Sequence, residues 1–131
     1  MIQLIIVINK LSQREYKEKS SKFITYLFKV ESLEEYEEVF SLVKEEHKKA
    51  SHILRLSIFP NKYGVSIEQV SEDKEPISSM KRLKEIAKIN SYDNFALFIV
   101  RYFGGTKLGA SNLDRFYFDI GVKELSKLKE S

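Results

Sequence analysis

Phe95-Ala96-Leu97-Phe98-Ile99-Val100-Arg101-Tyr102-Phe103-Gly104-Gly105-Thr106-Lys107-Leu108-Gly109 is the stretch that decides how this chain is read. Its first six residues are apolar without a break, the pattern of a buried strand. Three glycines then fall within six residues, and a helix opens close behind, near Ser111. Glycines between a buried strand and a helix start allow backbone geometries that a β-carbon forbids. They also leave amide N–H groups pointing outward beside a helix N-terminus, where an anion is favoured. The competing reading is a tight strand-to-helix connection with no ligand.

Working outward, Leu113, Phe116, Tyr117, Ile120, Leu125 and Leu128 supply an apolar stripe for a helix over about 111–129. Ser111 with Asp114 gives it a capping-box-like start. Gly121 inside it weakens the helix by about 1 kcal/mol relative to Ala, which points to close packing against another element. Upstream, Pro76 fits the first turn of a helix, with Ile77, Met80, Leu83, Lys84 and Ala87 on one side and turn residues from Asn90 to Asn94 closing it. His52–Phe59 and Val65–Val70 read as strands joined by the turn Pro60-Asn61-Lys62-Tyr63-Gly64.

Ser32-Leu33-Glu34-Glu35 is a capping box, and Leu33, Tyr36, Val39, Phe40 and Val43 then recur at helical spacing to about Lys48. Acidic residues crowd the first half of that helix and lysines its end, as the helix dipole favours. Lys22–Val30 carries large apolar groups on both faces and reads as a central strand. Leu11–Ser20 is polar and reads as an irregular link. Residues 2–8 read as the first strand. The order β-β-α-β-β-α-β-α predicts an α+β two-layer sandwich over residues 1–131, a single domain with a mixed or antiparallel sheet and helices on one face.

Composition narrows the function classes. With 131 residues, nine Phe and seven Tyr, the chain can bury a proper core. It has no cysteine, which removes disulfides, thiolate nucleophiles and Cys-ligated zinc, and fits a reducing compartment. The net charge of +3 permits an acidic partner without demanding one. Residues 1–8 carry no basic flank and fall short of the ~20 apolar residues a membrane span needs. A soluble, cytoplasmic protein without membrane contact is expected.

The glycine loop meets neither the Walker pattern nor the dinucleotide pattern, so nucleotide hydrolysis is a poor fit. Arg101 and Lys107 beside its amides suit weaker anion binding. His47 and His52 are the only histidines and lack metal-ligand spacing, so no metal or cofactor is expected. Glu72, Asp73 and Glu75 are candidate acids or bases, with a solvated acidic loop as the plainer alternative. No catalytic triad follows from spacing. Tyr102, Phe103, Lys107, Arg115 and Tyr117 mix aromatic and basic groups as nucleic-acid surfaces do, although core packing uses such aromatics too.

Four blocks carry a family resemblance. Ser21-Lys22-Phe23-Ile24 resembles a Ser-Arg-Phe-Ile block. His47-x-x-Ala50-x-His52 resembles His-x-x-Ala-x-His. Ser71-Glu72-Asp73-Lys74-Glu75-Pro76 resembles Asp-Asp-Gly-Glu-Pro. Arg101–Gly109, with Leu113 and Arg115, resembles the strongest signature. In this order and spacing, over about residues 15–125, the chain resembles the Impact domain family, which includes YigZ-type bacterial proteins. Departures stand beside the match. Lys74 replaces a family Gly, Ile77-Ser78-Ser79-Met80-Lys81 replaces a Gly-Thr-Ala-Gly run and its Pro, and Ser111-Asn112 replaces a Gly pair. At this length, the additional domain that family members carry is not expected.

The resemblance implies a fold like the second domain of a small-subunit ribosomal protein. It also implies a non-enzymatic binding module in translation control, whose partner is RNA, the ribosome or a ribosome-associated protein. Arg101, Gly104, Gly105, Lys107 and Gly109 form the expected anion- or partner-binding set, with His52, Glu72, Asp73 and Glu75 nearby. The alternative is a small enzyme acting on a phosphorylated or anionic substrate. Oligomeric state is not legible in the sequence.

Overall fold

Lys10–Glu18 (β1) and Ser21–Lys29 (β2) pair as an antiparallel hairpin in the computed structural model, which describes residues 9–130. The apolar run 2–8, expected as the first strand, lies outside the described residues. The polar segment expected as a link is instead β1. The hairpin turns on Lys19 and Ser20, both left-handed at φ 44° and 71°. Two left-handed residues match the twist of a two-residue hairpin. Neither is the Gly or Asn that usually marks such a turn, so the sequence gives no turn signal. Charged residues spaced along β1 suit an exposed sheet edge.

Leu33–Glu46 (α1) follows, then the hairpin His52–Pro60 (β3) and Ser66–Ser71 (β4). Ser79–Ile89 (α2), Phe95–Tyr102 (β5) and Ala110–Leu125 (α3) complete the fold, with a short 3-10 turn over Ser126–Glu130. The strands lie in the order β1-β2-β5-β3-β4, and every neighbouring pair is antiparallel. The last strand in sequence is therefore the centre of the sheet, which is why Phe95–Val100 is apolar throughout.

The α+β class and antiparallel sheet are as expected, but the helices do not share one face. Phe23, Leu27, Leu54, Leu56, Leu97 and Ile99 pack under α2 and α3, while Ile24, Tyr26, Phe28, Phe98 and Val100 pack under α1. A strand with large apolar groups on alternate sides must be covered on both, so a helix layer on one face alone leaves half of β2 and β5 in water.

Local signals set the helix ends. The Ser32 hydroxyl accepts the Glu35 amide at 3.1 Å, and the Glu35 carboxylate accepts the Glu31 amide at 2.9 Å. The expected box at Ser111 and Asp114 does not form. α3 begins one residue earlier, behind Gly109, and Asp114 reaches across to α2, where it accepts the Ser78 amide at 2.8 Å and pairs with Arg82. Glu72 accepts the Met80 amide at 3.2 Å, so α2 is capped by two residues from outside it. Pro76 stays in the preceding loop. Gly121 does mark a close approach, since a β-carbon there falls 2.3 Å from Leu83 Cδ1. At the sheet edge, the buried Glu124 accepts hydrogen bonds from Ser12 Oγ at 2.6 Å and Tyr16 Oη at 2.8 Å, tying β1 to α3. Burial, then Glu124, pushes the Tyr16 phenol up to about 12.

Candidate functional site

Register assembles the site. His52 on β3 and Phe23 on β2 both lie opposite Arg101 on β5, so these three side chains meet at one end of the sheet, on the α2–α3 face. The β4–α2 loop carries Glu75 in beneath them. Its polypeptide turns through Asp73 and Lys74, both left-handed at φ 48° and 66°, with Lys74 standing where the family pattern has glycine.

Glu75 is the hub. Its Oε2 accepts Arg101 Nη1 at 2.8 Å and Tyr117 Oη at 2.5 Å. Its Oε1 lies 3.3 Å from His52 Nε2. The Glu75 and Arg101 side chains are only 3% and 6% exposed. A buried pair of this kind persists only because each charge answers the other and further hydrogen bonds complete the shell. Arg101 Nη2 also donates to Ser21 Oγ at 3.3 Å, and the guanidinium sits 5.5 Å from the ring centroids of both Phe23 and Phe103. Burial, then the bond to Glu75, raises the Tyr117 phenol far above its ordinary range and keeps it a donor. His52 Nδ1 donates to the Asp73 carbonyl at 2.8 Å, and the Asp73 carboxylate accepts the Ile53 amide at 2.7 Å.

Over this network lies a cleft of about 490 Å³, walled by His52, Glu75, Arg101, Phe103, Lys107 and the start of α3. The C-terminal half of the glycine loop, Lys107 to Gly109, forms one side. Gly104 packs so tightly that a β-carbon falls 1.9 Å from the Ser20 carbonyl oxygen, which explains why no larger residue fits there. Gly105 is exposed, and Gly109 takes φ 84° as the N-cap of α3. The Phe103 amide is satisfied by Ser51 Oγ at 2.9 Å. Beyond it, no acceptor among the described residues takes the amides of residues 104–109, and all but Leu108 of those residues are exposed. No side chain caps α3, since Asn112 bonds to the Leu108 carbonyl and Asp114 is turned to α2. Free amides in sequence beside an uncapped helix start are what an anion requires.

The structure thus brings His52, Glu75, Arg101, Lys107 and Gly109 to one concave surface and sets the others apart. Glu72 is a helix cap. Asp73 faces a neighbouring groove of about 320 Å³, which His52 shares. Arg101 lines the cleft but spends its charge on Glu75. Among the described residues no cluster of acids and histidines is arranged to hold a metal ion, and no helix is long and apolar enough to cross a membrane.

The shared groove holds residues that spacing did not single out as a site. Arg55 and Lys44 each stand 4.3 Å from the Phe40 ring centroid, with Lys48 beside them. They come from β3, α1 and the turn after it, and nothing local in the sequence joins them. His47 lies behind, at the C-terminal end of α1, its ring nitrogens 2.7 Å from Tyr26 Oη and 2.6 Å from Tyr102 Oη. Burial lowers its affinity for a proton and raises both phenols.

A five-stranded antiparallel sheet with a helix on one face, two on the other and a glycine loop feeding the last helix defines an α+β domain of a known kind. The Impact N-terminal domain matches residues 19–124, and the chain belongs to that family. An IMPACT family member of Haemophilus influenzae is 32% identical over 114 residues, covering 86% of this chain and 55% of that protein. The IMPACT family member YvyE of Bacillus subtilis is 29% identical over 119 residues, covering 89% and 54%. The chain therefore spans about half the length of these relatives. Two solved structures share the fold. One, described as a hypothetical protein, superposes with a TM-score of 0.73 at 24% identity, over 88% of this chain and 56% of the other. The second, the two-domain translational regulator Yih1, gives 0.55 at 17%, over 89% and 46%.

Proposed function

We propose that this chain is a binding module acting in translation control, and that it holds RNA through backbone phosphates at the glycine-loop cleft. The observation that carries the proposal is the run of unbonded amides over residues 104–109, continued into the uncapped start of α3, with Lys107 beside it. Such amides bind an anion without a neutralising side chain. Family membership and the description of Yih1 as a translational regulator support the setting.

The groove beyond His52 extends the path. Lys44 and Arg55 at the Phe40 ring supply positive charge next to an aromatic side chain, the pairing that single-stranded nucleic acid uses. Catalysis fits the geometry less well. His52 directs one nitrogen to the Asp73 carbonyl and the other to Glu75, and Glu75 answers Arg101 and Tyr117. The two candidate bases in the cleft wall, His52 and Glu75, are both already engaged by protein partners.

The test is filter binding of a single-stranded RNA across a salt series. Affinity is expected to fall linearly in log–log form, and Lys107→Ala to reduce the slope by about 0.7, the value for one phosphate contact on a single strand. Binding that ignores salt, or none at all, overturns the proposal. Capture of a protein from lysate with no RNA binding favours a protein partner in the same cleft. Phosphoester turnover that is lost in Lys107→Ala favours the enzyme alternative.

A further inference from the structure

A cleft larger than the one at the glycine loop lies at the other end of the sheet. It has a volume of about 800 Å³ and opens between the start of α1 and the β3–β4 hairpin. Its floor is apolar: Leu33, Pro60, Tyr63 and Ile67 line it. Leu33 is 47% exposed and Tyr63 77%, and Val65 in the same hairpin is 59% exposed. Large apolar side chains left in water side by side mark an interaction surface rather than ordinary surface scatter.

The hairpin tip is held rigid. Asn61 Oδ1 accepts the amides of Tyr63 and Val65 at 2.8 and 3.0 Å, and the Asn61 amide donates back to the Val65 carbonyl at 2.8 Å. The backbone that carries Tyr63 is therefore set before anything binds, which lowers the ordering cost of association. The rim is acidic. Glu31, Glu34 and Glu37 border the cleft. Glu31 has Lys29 at 3.7 Å, whereas Glu34 and Glu37 have no cation partner among the described residues. Lys62, the one basic residue in the lining, holds its ammonium 5.1 Å from the Tyr63 ring centroid.

We propose that this cleft docks a basic, leucine-bearing segment of a partner protein, its aliphatic side chains on Leu33 and Tyr63 and its Arg or Lys groups on Glu34 and Glu37. The acidic rim rejects nucleic acid and a second acidic surface by like charge, so the occupant is a cationic polypeptide. The two ends of the sheet then take ligands of opposite sign, anion at the glycine loop and cation here.

The probe is a short fluorescein-labelled peptide alternating leucine and arginine, followed by anisotropy against the intact chain. Binding is expected to weaken with salt. The exposed double substitution Glu34→Lys with Glu37→Lys is expected to weaken it about tenfold or more, and Leu33→Ser with Tyr63→Ser to weaken it at every salt concentration. Lys107→Ala is expected to leave it unchanged, which separates this cleft from the RNA path. Equal binding of a leucine–glutamate peptide, or full binding by the charge-reversed variant, overturns the proposal. So does concentration-dependent dimerisation that Leu33→Ser abolishes, since the face then belongs to a second copy.

Discussion

Replacing Glu75 perturbs the site through its hub. Glu75→Ala removes the acceptor for Arg101 Nη1 and Tyr117 Oη and leaves a 6%-exposed guanidinium with only Ser21 to answer it. Breaking a buried pair from one side costs about 3–5 kcal/mol, because the remaining charge is uncompensated. Glu75→Gln keeps the shape and an acceptor for both donors, and its amide N–H₂ faces His52 Nε2. What it loses is the negative charge: both donors keep an acceptor, but the Arg101 guanidinium stays buried without its counter-ion. The Gln variant is therefore expected to lose up to about 3 kcal/mol, and the Ala variant more, because its donors are also left without an acceptor. Urea unfolding followed by circular dichroism reads both, provided the slope with denaturant is unchanged. A double-mutant cycle with Arg101→Met adds the decisive comparison: in that background Glu75→Ala is expected to cost much less, because no buried cation remains to strand. Equal losses in both backgrounds, or losses under about 0.5 kcal/mol for either single variant, refute the view that this pair builds the cleft floor.

Other outcomes follow from the same geometry. Gly104→Ala is expected to destabilise strongly, since the new β-carbon meets the Ser20 carbonyl at 1.9 Å and only backbone movement relieves it; thermal unfolding reads this. Ser32→Ala is expected to cost about 1 kcal/mol by removing the α1 cap, measured by urea midpoint. Lys74→Gly is expected to stabilise by about 0.5–1 kcal/mol, because relief of left-handed strain outweighs the added entropy of the unfolded chain. The folded state lowers the proton affinity of His47, so the unfolded chain takes up the proton first. Stability is then full above pH about 6.5 and declines as pH falls below it, and His47→Gln is expected to flatten that decline in a pH series of unfolding curves. Burial works to raise the proton affinity of Asp114, but its bonds to Ser78 and Arg82 prevail and lower it. Its contribution is lost only at more acid pH, separable by Asp114→Asn.

Much of this fold was legible because its interior strands advertise themselves. The apolar run 95–100 announced a buried strand, the Ser32–Glu35 box announced α1, and Gly121 announced a close helix contact. What escaped had physical causes. β1 is an edge strand with a charged face, and its turn uses Lys19 and Ser20, so neither apolar periodicity nor turn chemistry flagged it. The division of helices between two faces was implicit in β2, whose alternate residues are apolar on both sides, but element order alone does not express it. At the site, three of the residues singled out in the sequence, His52, Glu75 and Lys107, do meet in one cleft. The sequence did not reveal that Arg101 is buried and balanced by Glu75, nor that Glu72 is a cap, because pairing across elements depends on register. The groove of Phe40, Lys44 and Arg55 was invisible for the same reason.

The central claim is that the free main-chain amides between β5 and α3 hold phosphate. Proton–nitrogen correlation spectra of the chain titrated with single-stranded RNA test it at the atoms concerned. The expected result is saturable movement of the amide signals of Gly104, Gly105, Lys107 and Gly109, extending to the first turn of α3 and reversed by salt. Unmoved signals in that segment, with shifts confined elsewhere or absent, contradict it.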